Sequence, residues 1–155
     1  MVGNIDPNYI ALTLLLPKIG RKTAFKIFNN LIDIFEYNNI GGLAYMYGKN
    51  EFCIKDDTGL YYYDFYIKEL NFVIEFNGIA YHPYKDKLSE SEWSRWTHPY
   101  TKESADIVYA RDNNKLSKLS NNNIDYFIIW ENDNMDEISE SILSILKTKI
   151  KKQKA

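Results

Sequence analysis

The chain has 155 residues, a formal net charge of −2 and one cysteine, Cys53. This length predicts a single domain with a sizeable hydrophobic core. A lone cysteine excludes an internal disulfide and a cysteine-based zinc site, and it is typical of a reducing compartment. The slight acidity argues against a wholly non-specific nucleic-acid binder. No apolar run is long enough to span a membrane, so we expect a cytoplasmic protein with no membrane partner.

Residues 1–40 are predicted to form a helical hairpin. Asp6 followed by Pro7 is typical of a helix N-terminus. A turn signal that ends at Gly20 separates this first helix from a second one over about residues 21–35, where apolar side chains recur at helical spacing.

Residues 41–155 are predicted to form an α/β core. The predicted elements are a short helix at 43–47, strands at 51–55, 60–67 and 71–77, a helix at 104–119, a strand at 125–130 and a helix at 136–149. Turn residues at 56–59 indicate a hairpin between the first two strands. This order predicts a mixed four-stranded sheet, flanked by helices, in which a three-stranded antiparallel meander is joined by one crossover strand.

Two acids interrupt neighbouring apolar strands. Asp64 lies in an aromatic stretch, and Glu75 lies between Ile74 and Phe76. A carboxylate in apolar surroundings is costly unless a cation holds it. The pair therefore indicates a divalent metal site for Mg²⁺ or Mn²⁺, which prefer carboxylate oxygens. In the alternative interpretation both acids point to the solvent face of the sheet.

A second pattern lies near the N-terminus. The segment from Leu16 to Ala24 resembles a helix-hairpin-helix motif, in which backbone N–H groups at a tight turn bind a DNA phosphate. Gly20 matches the second hairpin glycine, whereas Lys18 replaces the first; Arg21 and Lys22 would add phosphate contacts. The alternative is an ordinary helical hairpin with a solvated basic edge.

Five separate pieces between residues 61 and 131 carry a wider resemblance. They are Asp64-Phe65, Ile74-Glu75-Phe76-Asn77-Gly78, His82, Arg111-Asp112-x-x-Lys115 and Phe127-Ile128-Ile129-Trp130-Glu131. In order and spacing they resemble the PD-(D/E)xK nuclease superfamily. They are most similar to very-short-patch-repair endonucleases, EDxHD homing endonucleases and phage nuclease-like proteins. The resemblance implies a metal-dependent endonuclease that cleaves DNA, in a host cytoplasm if the chain is phage-encoded.

The resemblance also implies roles for individual residues. Asp64 would be the central metal-binding aspartate and Glu75 the second acid. His82 and Asp112 would correspond to the histidine and final aspartate of the EDxHD motif, with Asp112 orienting His82. His82 would exchange a proton near neutral pH. The alternative for His82 is a loop residue that packs on Tyr81 and Pro83, and for Asp112 it is a solvated helix acid paired with Lys115 or Arg111.

Two departures bear on activity. Asn77 occupies the place where the superfamily usually has lysine, although we still count it among the catalytic candidates. The family's upstream helical glutamate has no clear match, and Glu36 is the nearest residue. The competing hypothesis is therefore an inactive nuclease-fold module that binds DNA or protein. A third possibility is an RNA-cleaving nuclease that uses the same residues.

The polar segment at 83–104 is predicted to be a loop with at most one helical turn. It carries the aromatic residues Trp93, Trp96 and Tyr100. Exposed aromatic rings in such a loop would stack on bases or wedge between them. Burial of at least one tryptophan in the core is the alternative.

Overall fold

The computed structural model describes residues 19–155, with side chains described from residue 23. The helices and strands are, in chain order, α1 (Ile19–Tyr37), β1 (Tyr45–Asp56), β2 (Gly59–Ile67), β3 (Phe72–Asn77), α2 (Glu90–Arg95), α3 (Ala105–Asn121), β4 (Asp125–Trp130) and α4 (Met135–Lys154). The predicted first helix and the N-terminal part of the hairpin lie outside the described residues. Gly20, predicted to lie in a turn, is in the first turn of α1.

The four strands form one mixed sheet in the order β1-β2-β3-β4. The first three form an antiparallel meander, and β4 runs parallel to β3. A parallel neighbour needs a crossover connection. Here that connection runs through α2 and α3, which confirms the predicted α/β sheet flanked by helices.

Each face of the sheet has its own apolar cluster. On one face, side chains of α1 and α4 pack against β2 and β3; Phe28 stacks on Phe65 with ring centroids 5.0 Å apart, and Leu146 is fully buried. On the other face, Leu119 of α3 is buried with Tyr63 and its neighbours. The central strands are therefore covered on both sides, as their nearly continuous apolar sequences require.

The predicted short helix at 43–47 is wrong, because β1 begins at Tyr45 and pairs with β2 from there. Two aromatic residues, Tyr45 and Tyr47, pack on Phe65 at centroid distances of 5.3 and 5.4 Å. Tertiary packing therefore overrides a local helical pattern. The pairing shifts between Tyr47 and Phe52, where β1 carries a bulge.

The segment between β3 and α3 contains one short helix, α2, with a capping box between Ser89 and Glu92. The helix predicted at 104–119 and the strand predicted at 125–130 are confirmed by α3 and β4. Within residues 19–155, no helix combines the length and the apolar character needed to cross a bilayer.

Candidate functional site

Asp64 and Glu75 lie side by side where the pairing between β2 and β3 ends. The last paired residues are Phe65 and Ile74. Beyond this pair, the two strands are joined by hydrogen bonds from backbone N–H groups to the carboxylates of Asp64 and Glu75. The backbone N–H of Asp64 donates to Oε1 of Glu75 at 2.8 Å, and the backbone N–H of Phe76 donates to Oδ2 of Asp64 at 2.9 Å. Each acid thus binds the other's strand, and the two carboxylates are held between the strands.

Glu75 is a buried acid with a lysine counter-ion. Its residue exposure is 5 %, and its Oε2 accepts a hydrogen bond from Nζ of Lys115, on α3. Burial, followed by the nearby charge of Asp64, raises the pKa of Glu75 to about 8, although Lys115 acts in the opposite direction. Burial alone lowers the pKa of Lys115, but the charges of Glu75 and Asp64 outweigh it and raise that pKa overall.

Asp64 also faces a cleft of about 240 Å³ between α1 and the bulge of β1. The other lining residues are Ala24, Phe25, Phe28, Gly48, Glu51 and Tyr62. Glu51 brings a second carboxylate to the same cleft. One oxygen of Asp64, Oδ2, accepts the N–H of Phe76.

A histidine–aspartate pair lies on the other side of Glu75. Nδ1 of His82 is 2.7 Å from Oδ2 of Asp112, and both side chains are partly exposed. The chain turns directly after β3, where the carbonyl of Gly78 accepts hydrogen bonds from the N–H groups of Tyr81 and His82, each at 3.0 Å. This turn carries His82 back towards α3.

One helix connects the two groups. Asp112 and Lys115 are three residues apart on α3, so their side chains leave the same face of the helix. Asp112 holds His82, and Lys115 holds Glu75. Helix α3 therefore places the His82–Asp112 pair one turn away from the Lys115 that binds Glu75.

The remaining predicted residues are placed differently. Asn77 pairs with Trp130 at the end of β3, and its carbonyl accepts the N–H of Glu131 at 3.0 Å. Glu36 lies at the exposed end of α1; after burial, it is the largest cause of a rise in the pKa of Tyr45 to about 12. Glu36 is thus associated with Tyr45 rather than with Asp64.

The helix-hairpin-helix candidates are described only in part. Lys18 lies outside the described residues. The backbone of Gly20, Arg21 and Lys22 belongs to the first turn of α1, and their side chains are outside the description. The predicted phosphate contacts stay a prediction.

Sequence reasoning does not identify two residues of the site. Lys115 belongs to one of the five pieces, and sequence offers it only as a possible partner of Asp112, one turn earlier, whereas the structure pairs it with Glu75. Glu51 has no signal, because its place beside Asp64 depends on the bulge in β1.

The described residues offer a divalent ion an incomplete set of ligands. Within residues 19–155, no group of three or more His, Cys, Asp or Glu side chains is arranged to hold a metal. Mg²⁺ is usually bound through one or two carboxylates, with waters and substrate phosphates completing its shell. Asp64 and Glu75 are ligands of the type that this mode uses, and both oxygens of Glu75 already accept hydrogen bonds from protein groups. The nitrogen- and sulfur-rich set that zinc prefers is not present among the described residues.

Comparisons with models of protein families, with curated proteins and with solved structures found no match for this chain.

Proposed function

We propose that this chain is a metal-dependent endonuclease that hydrolyses phosphodiester bonds in DNA. The observation that carries the proposal is the buried Glu75, held against Asp64 and Lys115 at the place where two central strands separate. Burying a pair of acids costs free energy even when a lysine partly compensates it, so the presence of the pair suggests a purpose other than stability.

The charges suggest what that purpose is. Asp64 raises the pKa of Glu75, which means that the two carboxylates repel each other when both are ionised. A divalent cation would remove this repulsion and allow both acids to stay ionised at neutral pH. Such sites, with perturbed acids and a nearby cleft, are candidates for catalysis.

Each residue then has a definite task. Asp64 and Glu75 would hold the ion, which when bound neutralises phosphate charge and lowers the pKa of water. Lys115 fixes Glu75 and adds a positive charge beside the acids. Asn77 stands on β3 where the superfamily usually has a lysine, and Lys115 would provide a lysine at the acids from α3 instead. His82, oriented through Nδ1 by Asp112, presents Nε2 as a group that can take or give a proton.

One observation favours a second candidate, a nuclease-like module that binds DNA or protein without cleaving. Both oxygens of Glu75 already accept hydrogen bonds from protein groups, Oε1 from the N–H of Asp64 and Oε2 from Lys115. The acid is therefore satisfied by the protein itself, and a metal is not required to explain its burial.

Plasmid nicking separates the two candidates. Supercoiled DNA is incubated with the wild-type protein in Mg²⁺ or in EDTA, and with Asp64→Asn in Mg²⁺. The matched control is Asp125→Asn, which removes an acid that pairs with Lys149 at the opposite end of β3 and β4.

If the chain is a nuclease, the wild type and Asp125→Asn should nick DNA in Mg²⁺, and no nicking should occur in EDTA or with Asp64→Asn. Absence of nicking by the wild type, on DNA and on a parallel RNA substrate, would contradict the proposal and favour the binding module. Cleavage of RNA alone would move the substrate from DNA to RNA while leaving the site unchanged.

A further inference from the structure

Three aromatic side chains, of which one is exposed and two are partly buried, form a surface that adjoins the candidate site in sequence. Tyr81 lies 5.9 Å from His98 and 6.0 Å from Tyr100 between ring centroids, and the planes of the two tyrosines are within 19° of parallel. Tyr100 has 60 % of its surface exposed. We call Tyr81, His98 and Tyr100 the aromatic shelf.

The loop that carries His98 and Tyr100 is held by a β-bridge and by several hydrogen bonds. Thr97 and Ser104 form an isolated bridge, and the N–H of His98 donates to the carbonyl of Glu103 at 2.9 Å. Nδ1 of His98 accepts the N–H groups of Tyr100 and Thr101 at 3.3 and 3.1 Å. The fold thus holds a large exposed ring in a fixed position, and such preorganisation lowers the entropy cost of binding.

Two further contacts fasten this loop to the rest of the protein. The carboxylate of Glu103 accepts a hydrogen bond from Arg111 of α3 at 2.7 Å. The hydroxyl groups of Tyr81 and Tyr100 are hydrogen-bonded, and this bond raises the pKa of Tyr81. The shelf is therefore anchored to the same helix that carries Asp112 and Lys115.

The shelf adjoins the site through the chain itself. Tyr81 directly precedes His82, whose ring contacts Asp112. If a polymer bound with one flat group stacked on the shelf, its neighbouring units would lie near His82. Flat aromatic rings beside a candidate phosphodiester site match nucleobases, because every base has a stacking face.

The local charge favours bases over phosphates as the group bound here. The segment at 78–104 carries four cations and four acids: Lys85, Lys87, Arg95, Lys102, Asp86, Glu90, Glu92 and Glu103. With no excess of positive charge, the segment has little general attraction for the nucleic-acid backbone. In a duplex the base faces are already stacked on one another, so a paired base could use the shelf only after costly unstacking, whereas an unpaired base can use it directly.

We infer that Tyr100 stacks on an unpaired nucleobase, and that the substrate of the candidate site is therefore DNA with unpaired nucleotides near the scissile bond. This inference rests on the proposed nuclease function, since it assigns the substrate class of the same site. A wholly double-stranded substrate would make no use of the shelf.

Binding in EDTA tests the inference apart from cleavage. The probes are a single-stranded oligonucleotide that contains 2-aminopurine, whose fluorescence falls when it stacks, and the duplex of the same sequence. The variants are Tyr100→Ala, Tyr100→Phe, which keeps the ring, and Tyr37→Ala. Tyr37 is the control because it is 89 % exposed at the far end of α1.

We expect Tyr100→Ala to weaken single-strand binding by about 5- to 150-fold and to abolish the fluorescence quenching. Duplex affinity and the dependence of binding on salt should not change, because the substitution removes no phosphate-binding group. Tyr37→Ala should bind as the wild type does, and Tyr100→Phe, which keeps the ring but loses the hydroxyl bond to Tyr81, should keep the quenching and most of the single-strand affinity.

Equal single-strand affinity of Tyr100→Ala and wild type would overturn the inference, and so would an equal reduction in duplex affinity. Failure of the nuclease proposal is distinguishable. If Tyr100-dependent quenching of 2-aminopurine is observed but DNA is never nicked in Mg²⁺, only the proposed nuclease function is contradicted. If the protein nicks DNA but Tyr100→Ala leaves single-strand binding unchanged, only the inferred role of the aromatic shelf is contradicted.

Discussion

Burial and a neighbouring acid oppose the ionisation of Glu75, and this gives the residue a distinct dependence on pH. Its folded-state pKa of about 8 is above the ordinary value of 4.5. Between those two values the folded state binds the proton more tightly than the unfolded state does. The stability that Glu75 contributes is therefore fully present below about pH 4.5 and is lost as the pH rises towards 8.

Replacing Glu75 by Gln should remove this dependence. In urea unfolding between pH 5 and pH 8, the free energy of unfolding of the wild type should fall relative to that of Glu75→Gln, by at most about 1.4 kcal/mol per pH unit. Asp125→Asn, which alters an exposed acid, should keep the wild-type slope. Parallel curves for wild type and Glu75→Gln would show that Glu75 is ionised throughout this range.

His82 should affect the chemical step more than binding. His82→Ala is expected to slow single-turnover cleavage by about 100-fold or more, because it removes a proton-transfer group. Asp112→Asn should reduce the rate less, since Asn can still hold the ring, and it should move the pH–rate profile, because the negative charge beside the ring is lost. Asp106→Asn, on the same helix, should have the wild-type rate and profile. An unchanged profile for Asp112→Asn would reduce its contact with His82 to a structural one.

At the scale of elements, α3 carries most of the site. It supplies Asp112 to His82 and Lys115 to Glu75, and one turn later Lys118 pairs with Asp56 at 2.6 Å at the end of β1. A partly buried hydrogen bond fixes the helix at the same level, because the hydroxyl of Tyr63 donates to the carbonyl of Lys115 at 2.8 Å. The position of Lys115 therefore depends on β2.

Removing that hydroxyl tests this dependence. Tyr63→Phe should destabilise the fold by about 0.5 to 1.5 kcal/mol, since it removes one hydrogen bond between β2 and α3. It should also lower the activity of the folded protein, because Lys115 loses a restraint. Tyr126→Phe, at a partly exposed tyrosine, should leave stability unchanged. Thermal unfolding measures both variants, and equal melting temperatures for Tyr63→Phe and wild type would contradict the argument.

The elements that can be predicted from sequence are those with strong local signals. The hairpin at 56–59, the strand with Glu75 and the helix that follows Ser104 all combine turn or cap residues with clear apolar periodicity. The prediction for the segment at 43–47 is wrong, because its aromatic residues are fixed by packing on Phe65, which is distant in sequence.

The same reasoning explains the site. The pairing of Asp64 with Glu75 follows from two adjacent antiparallel strands, which sequence can indicate. The pairing of Glu75 with Lys115 requires the rotation of α3 over the sheet, and the place of Glu51 requires the bulge in β1. Neither the rotation nor the bulge has a local sequence signal, so these two residues become visible only in the fold.

At the scale of the whole molecule, the basic segment at 18–22 is separate in sequence from the acidic site and should contribute to binding without contributing to chemistry. Replacing both Arg21 and Lys22 by Ala should weaken DNA binding across unrelated sequences. The slope of log affinity against log salt should become shallower by about one unit for each phosphate that the variant no longer neutralises.

The control replaces Lys151 and Lys152, two exposed lysines near the C-terminal end of α4, by Ala. A salt slope that is unchanged in the Arg21/Lys22 variant would reduce this segment to a structural role. A slope that changes equally in both variants would point to general charge rather than to the predicted hairpin.

The claim that Asp64 and Glu75 form a divalent-cation site is tested most directly by titrating Mn²⁺ into the folded protein and following the free ion by its paramagnetic resonance signal. The wild type and Asp125→Asn should each take up one ion in a saturable way, and Asp64→Asn should lose that uptake. Absence of saturable binding to the wild type, or binding of equal strength to Asp64→Asn, would contradict the account.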